Sequence, residues 1–110
     1  MDDPVLVYST FPTREAADAA GTAAVEAKLA ACVNITPAVA SIYRWQGRVE
    51  RAEEVVLFAK TRGSVAARLV EALRLAHPYE VPDIVVLPII AGDPAYLAWI
   101  AAETEQDVEA

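Results

Sequence analysis

Histidine and cysteine each occur once in this chain, as His77 and Cys32. A single cysteine excludes an internal disulfide and fits a reducing compartment, so the expected location is cytoplasmic. With one imidazole and one thiol there is no paired-cysteine metal site and no His-Glu-x-x-His pattern. Gly-x-Gly-x-x-Gly and phosphate-loop patterns are missing as well. Basic residues are scarce: nine Lys and Arg face 16 Asp and Glu, for a net charge of -7. That balance argues against nucleic acid, whose binding runs on phosphate neutralisation, and it is compatible with cations as ligands. No apolar run approaches the ~18 residues of a membrane span. Met1-Asp2-Asp3-Pro4 carries neither the basic region nor the apolar stretch of a secretory signal. Nucleophilic catalysis needs a nucleophile with a base, and Cys32 with His77 is the one combination on offer. Cys32 lies among Ala30, Ala31 and Val33, where a thiol packs as a small hydrophobe, so no enzymatic activity is expected.

What is abundant is apolar surface. Hydrophobic residues make up 55% of the 110, enough for one domain over 1–110 and suggestive of further buried interfaces. Its core is expected over about 5–104, ahead of an acidic tail at 105–110.

Two runs rich in β-branched and aromatic residues, Cys32–Trp45 and Arg48–Thr61, flank Gln46-Gly47. Gly supplies the positive φ that a two-residue turn requires, so these runs read as one long hairpin. Each arm would reach ~45 Å at ~3.3 Å per residue. That exceeds a domain whose radius of gyration is about 13 Å, so the tip needs cover. The tip carries Tyr43, Trp45 and Val49, and these are the expected contact with another copy of the chain. The alternative is a hairpin that curls back over its own domain, with Pro37 marking the bend.

Around the hairpin, Val5–Phe11 reads as a buried strand. Thr13 caps an Ala-rich helix running to about Ala30. Ser64 is the expected cap of a second, amphipathic helix that ends near His77, because Pro78 disfavours helical backbone before it. Ile84–Ile90 reads as a strand with Pro88 marking an edge. Asp93 caps a last helix that begins at Pro94. The order is the split βαβ plan of an α+β, ferredoxin-like βαββαβ sandwich with an extra C-terminal helix. Right-handed crossovers place the first two helices on one sheet face and leave the other face bare.

The most distinctive local stretch is His77-Pro-Tyr-Glu-Val-Pro82. Two prolines stiffen the segment and hold an imidazole, a phenol and a carboxylate in set directions. One reading makes His77 a helix C-cap with Tyr79 packed beside it. The other makes His77 and Glu80 metal-ligating or anchoring groups, with Lys60 as counter-charge. One His and one carboxylate do not complete a metal site, but a symmetry axis multiplies them.

Tyr8-Ser-Thr-Phe-Pro12, Lys28-Leu-Ala-Ala-Cys-Val-Asn-Ile35, Ser41-Ile-Tyr-Arg-Trp-Gln-Gly-Arg-Val-Glu50, His77–Pro82 and Tyr96-Leu-Ala-Trp-Ile100 together resemble the CutA divalent-cation tolerance proteins. The resemblance runs in register from about Val5 to Thr104. It implies a homotrimer in which long hairpins knit neighbouring subunits, similar to the PII nitrogen-regulatory proteins, and binding of divalent copper in response to metal. Carried over residue by residue, it implies His77 as metal ligand; Glu80, from the reading of the segment itself, and Cys32, which matches the family's Ala-Ala-Cys motif and reads mainly as packing, are further candidates. Ser9 stands where some bacterial members have Cys, and Ala76 where they have the first of two His, so the implied copper affinity is lower. The alternative is a PII-like signalling module that binds a small ligand or protein partner in inter-subunit clefts lined by Trp45, Lys60, Tyr79 and Glu80.

Overall fold

A computed structural model describes residues 2–104; the acidic tail expected at 105–110 lies outside the described residues. The elements run β1 (Pro4–Phe11), α1 (Arg14–Glu26), β2 (Cys32–Ile35), β3 (Val39–Trp45), β4 (Arg48–Arg62), α2 (Gly63–Ala76), β5 (Val85–Pro88) and α3 (Pro94–Glu103). The sheet order is β2-β4-β1-β5, antiparallel throughout, and β3 pairs with the first half of β4. Both short strands are edges, and Pro88 ends β5, where its missing N–H leaves no ladder bond unmade.

β4 organises the fold. Its 15 residues serve three partners: Val55–Arg62 pair with β1, Leu57–Lys60 also pair with β2, and Arg48–Glu54 pair with β3. The tip is the expected two-residue turn, with Gln46 at φ 51° and Gly47 at φ 80°. Both central residues have positive φ, which suits the twist of the two arms. The first arm is not continuous, however. Ile35 stands opposite Leu57 and Val39 opposite Glu54, so four steps along the first arm match three along β4. The extra residue is accommodated at Thr36–Ala38, around Pro37. There Thr36 Oγ1 accepts from the Val56 amide at 3.0 Å. The physical cause is that Pro37 cannot donate to the ladder, so the chain bulges past it.

The core lies between the sheet and two helices. Val7, Phe11, Leu57 and Ala59 meet Ala17, Ala20 and Ala24 of α1 and Leu69 and Leu73 of α2. Gly21 faces the sheet so closely that a Cβ there would lie 2.8 Å from Val33 Cγ1. Side chains alternate along β4, so Lys60 and Arg62 point away from this core. α3 lies on their side: Lys60 Nζ donates to Tyr96 Oη at 3.2 Å, and Arg62 Nε donates to Thr104 Oγ1 at 3.0 Å. The second sheet face is therefore partly covered by α3 rather than left bare.

Two helix ends differ from expectation. α1 stops at Glu26, four residues early, because Lys28 takes the left-handed conformation (φ 63°) and turns the chain toward β2. The amides of Leu29 and Ala30 close that end on the Ala24 carbonyl at 2.9 and 3.2 Å. α2 is not capped by Ser64, which is its second residue. Asp2 caps it from the far end of the chain: its Oδ1 accepts from the Ser64 amide at 2.8 Å, its Oδ2 accepts from the Ser64 hydroxyl, and Arg62 Nη1 pairs with it at 3.3 Å.

Candidate functional site

The segment after α2 is tied to two strands by three side chains. His77 is 8% exposed, and its ring stacks on Phe11 with centroids 4.2 Å apart. Its Nε2 lies 2.7 Å from the Thr10 carbonyl oxygen, and its Nδ1 accepts from the Tyr79 amide at 3.2 Å. The carbonyl can only accept and the amide can only donate, so the ring is neutral with its proton on Nε2. The Tyr79 phenol then donates to Glu54 Oε2 at 2.5 Å. Asp83 completes the set, accepting from the Thr10 amide at 3.1 Å and the Thr10 hydroxyl at 2.5 Å. One segment thus grips the end of β1 and the point on β4 where the hairpin leaves the core.

Burial, followed by the Glu54 carboxylate on its hydroxyl, pushes the Tyr79 phenol well above the ordinary tyrosine range. Glu54 is 7% exposed. The phenol supplies the hydrogen bond that a buried carboxylate requires.

The expected site residues fall into separate places. Glu80 is exposed beside this segment. Lys60 sits elsewhere: its ammonium donates to Asn34 Oδ1 at 3.1 Å and lies 5.4 Å from the Tyr96 ring centroid. Cys32 is opposite Lys60 in the ladder, with Sγ 3.8 Å from Asn34 Oδ1. Thr10, which His77 bonds, is opposite Val56. Four residues of β4 separate the two rungs, roughly 13 Å. Within one subunit Cys32 and His77 are therefore too far apart to act as a nucleophile–base pair or to share a metal. Trp45 is farther still, opposite Arg48 at the tip. The expected cleft residues are strung along β4, at the rungs of positions 48, 54 and 60. One subunit does not gather them.

They do share a side. The two-residue turn places Tyr43 and Trp45 opposite Glu50 and Arg48, in phase with Glu54 and Lys60. Tyr43 and Trp45 are 44% and 45% exposed, and Ile42 and Val49 on the reverse side are 58% and 66% exposed. On β5, Val85, Val86 and Leu87 are each more than 40% exposed along a free sheet edge.

Among the described residues, no group of three or more His, Cys, Asp or Glu side chains converges to hold a metal ion. The side chains around His77 are tied into hydrogen bonds with one another and with the backbone. His77 uses both ring nitrogens, Asp83 both oxygens, and Glu54 accepts from Tyr79. A metal bond at His77 would require the ring to give up Thr10 or Tyr79. Sequence reasoning missed Thr10, Glu54 and Asp83. Strand alternation gives no signal for Glu54, which lies with Lys60 on the side of β4 that faces away from the helices.

The sequence matches the CutA1 divalent ion tolerance protein family over residues 5–103. It is 45% identical over 104 residues to the divalent-cation tolerance protein CutA of Thermus thermophilus, covering 94% of this chain and 99% of that one. Protein CutA of Mus musculus is 42% identical over 98 residues, covering 89% of this chain and 55% of its own length. The chloroplastic CutA of Arabidopsis thaliana is likewise spanned over 55% of its length, so the chain covers about half of these longer relatives. The solved Thermus thermophilus Cut A1 structure superposes with a TM-score of 0.90 at 44% identity, covering 93% of this chain and 99% of that one. CutA1 from Oryza sativa gives 0.91 at 38% identity, with 96% of each chain covered. No helix among the described residues is long and apolar enough to cross a membrane.

Proposed function

Because the chain belongs to the CutA1 divalent ion tolerance family, we propose that it acts as a homotrimer that takes part in the response to divalent metal ions, copper among them. The subunit is read as ferredoxin-like and the assembly as PII-like. The observation that carries this reading is the pattern of exposed apolar residues: Ile42, Tyr43, Trp45 and Val49 on the hairpin, and Val85, Val86 and Leu87 on the β5 edge. A free, apolar sheet edge invites pairing, and a two-stranded ribbon carrying two large aromatics is marginal in water by itself. Copies of the same chain are the economical cover for both. Closing a ring would bring the Trp45 tip of one subunit to the Tyr79 or Lys60 rung of the next, and so assemble clefts that one chain lacks.

In this reading the metal is cargo or signal rather than a structural cofactor. His77 does not fit as an open ligand, so exposed carboxylates such as Glu80 are the donors proposed to meet the cation, which suits a chain with net charge -7. The separation of Lys60 from the acidic residues favours a second reading, a signalling module that takes a small ligand or a protein partner in the same clefts. No enzymatic step is proposed. The single free thiol supports a reducing compartment such as the cytoplasm.

Light scattering tests the assembly, with three times the 11.8 kDa chain mass expected and a stable monomer overturning it. Calorimetric titration of the untagged trimer with Cu²⁺ separates the two readings. Stoichiometric uptake supports metal handling, and absence of uptake transfers support to the signalling module.

A further inference from the structure

His77 is the imidazole that a copper-binding reading would reach for first, and its surroundings assign it another task. The ring is buried to 8% exposure between Phe11, at 4.2 Å, and Tyr79, at 4.8 Å between centroids. Its two nitrogens face partners of opposite kind, a carbonyl that must receive a proton and an amide that must give one. A metal takes a deprotonated ring nitrogen with a free lone pair. Nε2 has its proton aimed at Thr10, and the Nδ1 lone pair is occupied by the Tyr79 N–H. Neither nitrogen is free. The same bonds set where Tyr79 begins, and Tyr79 reaches Glu54 at the root of the hairpin.

We infer that His77 is a positioning residue, a neutral Nε2-protonated bridge that fixes the 77–83 segment across the end of β1 and the root of the hairpin, and that divalent cations bind this chain without its imidazole. The bridge rests on hydrogen-bond geometry alone. Only its consequence for cations rests on the function proposed above, and the two parts are read by different measurements.

The bridge is tested without metal. In untagged protein labelled with ¹⁵N at histidine alone, one ring gives two nitrogen signals. At neutral pH the expected spectrum shows a bound proton on Nε2 and a bare Nδ1. A proton on Nδ1, a doubly protonated ring or an averaged pair of signals overturns the bridge. The consequence is tested by adding Zn²⁺ to the same sample and Cu²⁺ to a second one. The inference expects both nitrogen shifts to stay in place and the copper resonance spectrum to show no ¹⁵N coupling from histidine. A shift on Zn²⁺ or a ¹⁵N coupling overturns it. Substitution adds an independent readout. His77→Gln keeps a donor and an acceptor and should hold a higher melting temperature than His77→Leu, while Cu²⁺ affinity in His77→Gln stays within about twofold of wild type. A tenfold loss of affinity in folded His77→Gln overturns the inference. If that variant does not fold, the wild-type spectra decide the matter.

Discussion

The Tyr79 phenol donates a 2.5 Å hydrogen bond to the carboxylate of Glu54, and this contact joins the segment after α2 to the residue where β4 leaves the core. Burial and the adjacent carboxylate both favour the protonated phenol, so its ionisation lies above the ordinary range. A group raised in the folded state contributes stability that is fully present below its unfolded pKa, about 10 for tyrosine, and is lost as pH rises through the folded value. In an alkaline absorbance titration, one of the four tyrosines should therefore ionise late, together with unfolding. Tyr79→Phe should remove that late step. A titration unchanged by the substitution would count against the contact.

At the N-terminus the sign reverses. The Ser64 hydroxyl and amide, with the Arg62 guanidinium, hold the Asp2 carboxyl below the usual carboxylate range. Its contribution is present above the unfolded pKa near ~4 and disappears as pH falls through the folded value. Asp2→Ala should lower the urea midpoint at neutral pH, and its gap from wild type should close as pH falls below the unfolded pKa. A gap that persists in acid would mean that the carboxylate is not its source.

Gly21 tests how closely α1 approaches the sheet. Replacing Gly by Ala inside a helix ordinarily gains about 1 kcal/mol. Here the new methyl would meet Val33 Cγ1 at 2.8 Å, and forcing a packed neighbour aside costs roughly 1–3 kcal/mol. Gly21→Ala should therefore lower the denaturation midpoint, against its helix propensity. A raised midpoint would show that Val33 yields freely.

Trp45 tests the hairpin tip. It is 45% exposed in the subunit, and burying an aromatic of this size contributes on the order of 2–3 kcal/mol. Trp45→Ala should shift the mass distribution toward smaller species on dilution and lower the melting temperature. An unchanged mass at every concentration would place the subunit interface elsewhere.

The hairpin, the Asp93 cap and the edge position of Pro88 were legible because each is written within a few residues. Gly47 follows the tip aromatics, Asp93 precedes Pro94, and Pro88 cannot donate. What escaped was set by partners distant in sequence or by a residue acting out of type. Asp2 caps a helix that starts 61 positions later, at Gly63. Lys28 ends α1 in a conformation usually given to Gly, so no stop signal preceded it. At the site, His77–Pro82 was visible as a unit. Thr10, Glu54 and Asp83, which decide what its imidazole and phenol can do, become neighbours only when β1 and β4 pair.

The extra residue around Pro37 gives the hairpin a parity. Side-chain direction in a strand repeats every two residues, so one added residue is a half-period slip. The two-residue turn fixes Tyr43 and Trp45 opposite Glu50 and Arg48, so without the extra residue it is β2 that would turn over, sending Val33 and Ile35 away from the core and Cys32 and Asn34 toward it. Shortening Thr36–Ala38 by one would thus leave the turn, the ladder and the aromatic side of the ribbon intact while turning over the two apolar residues with which β2 meets the core. An odd change in length there is an inversion, and an even one is a translation. The two rings at the tip and the apolar side chains of β2 face opposite sides of the sheet because of a single count, kept some six residues before the tip begins.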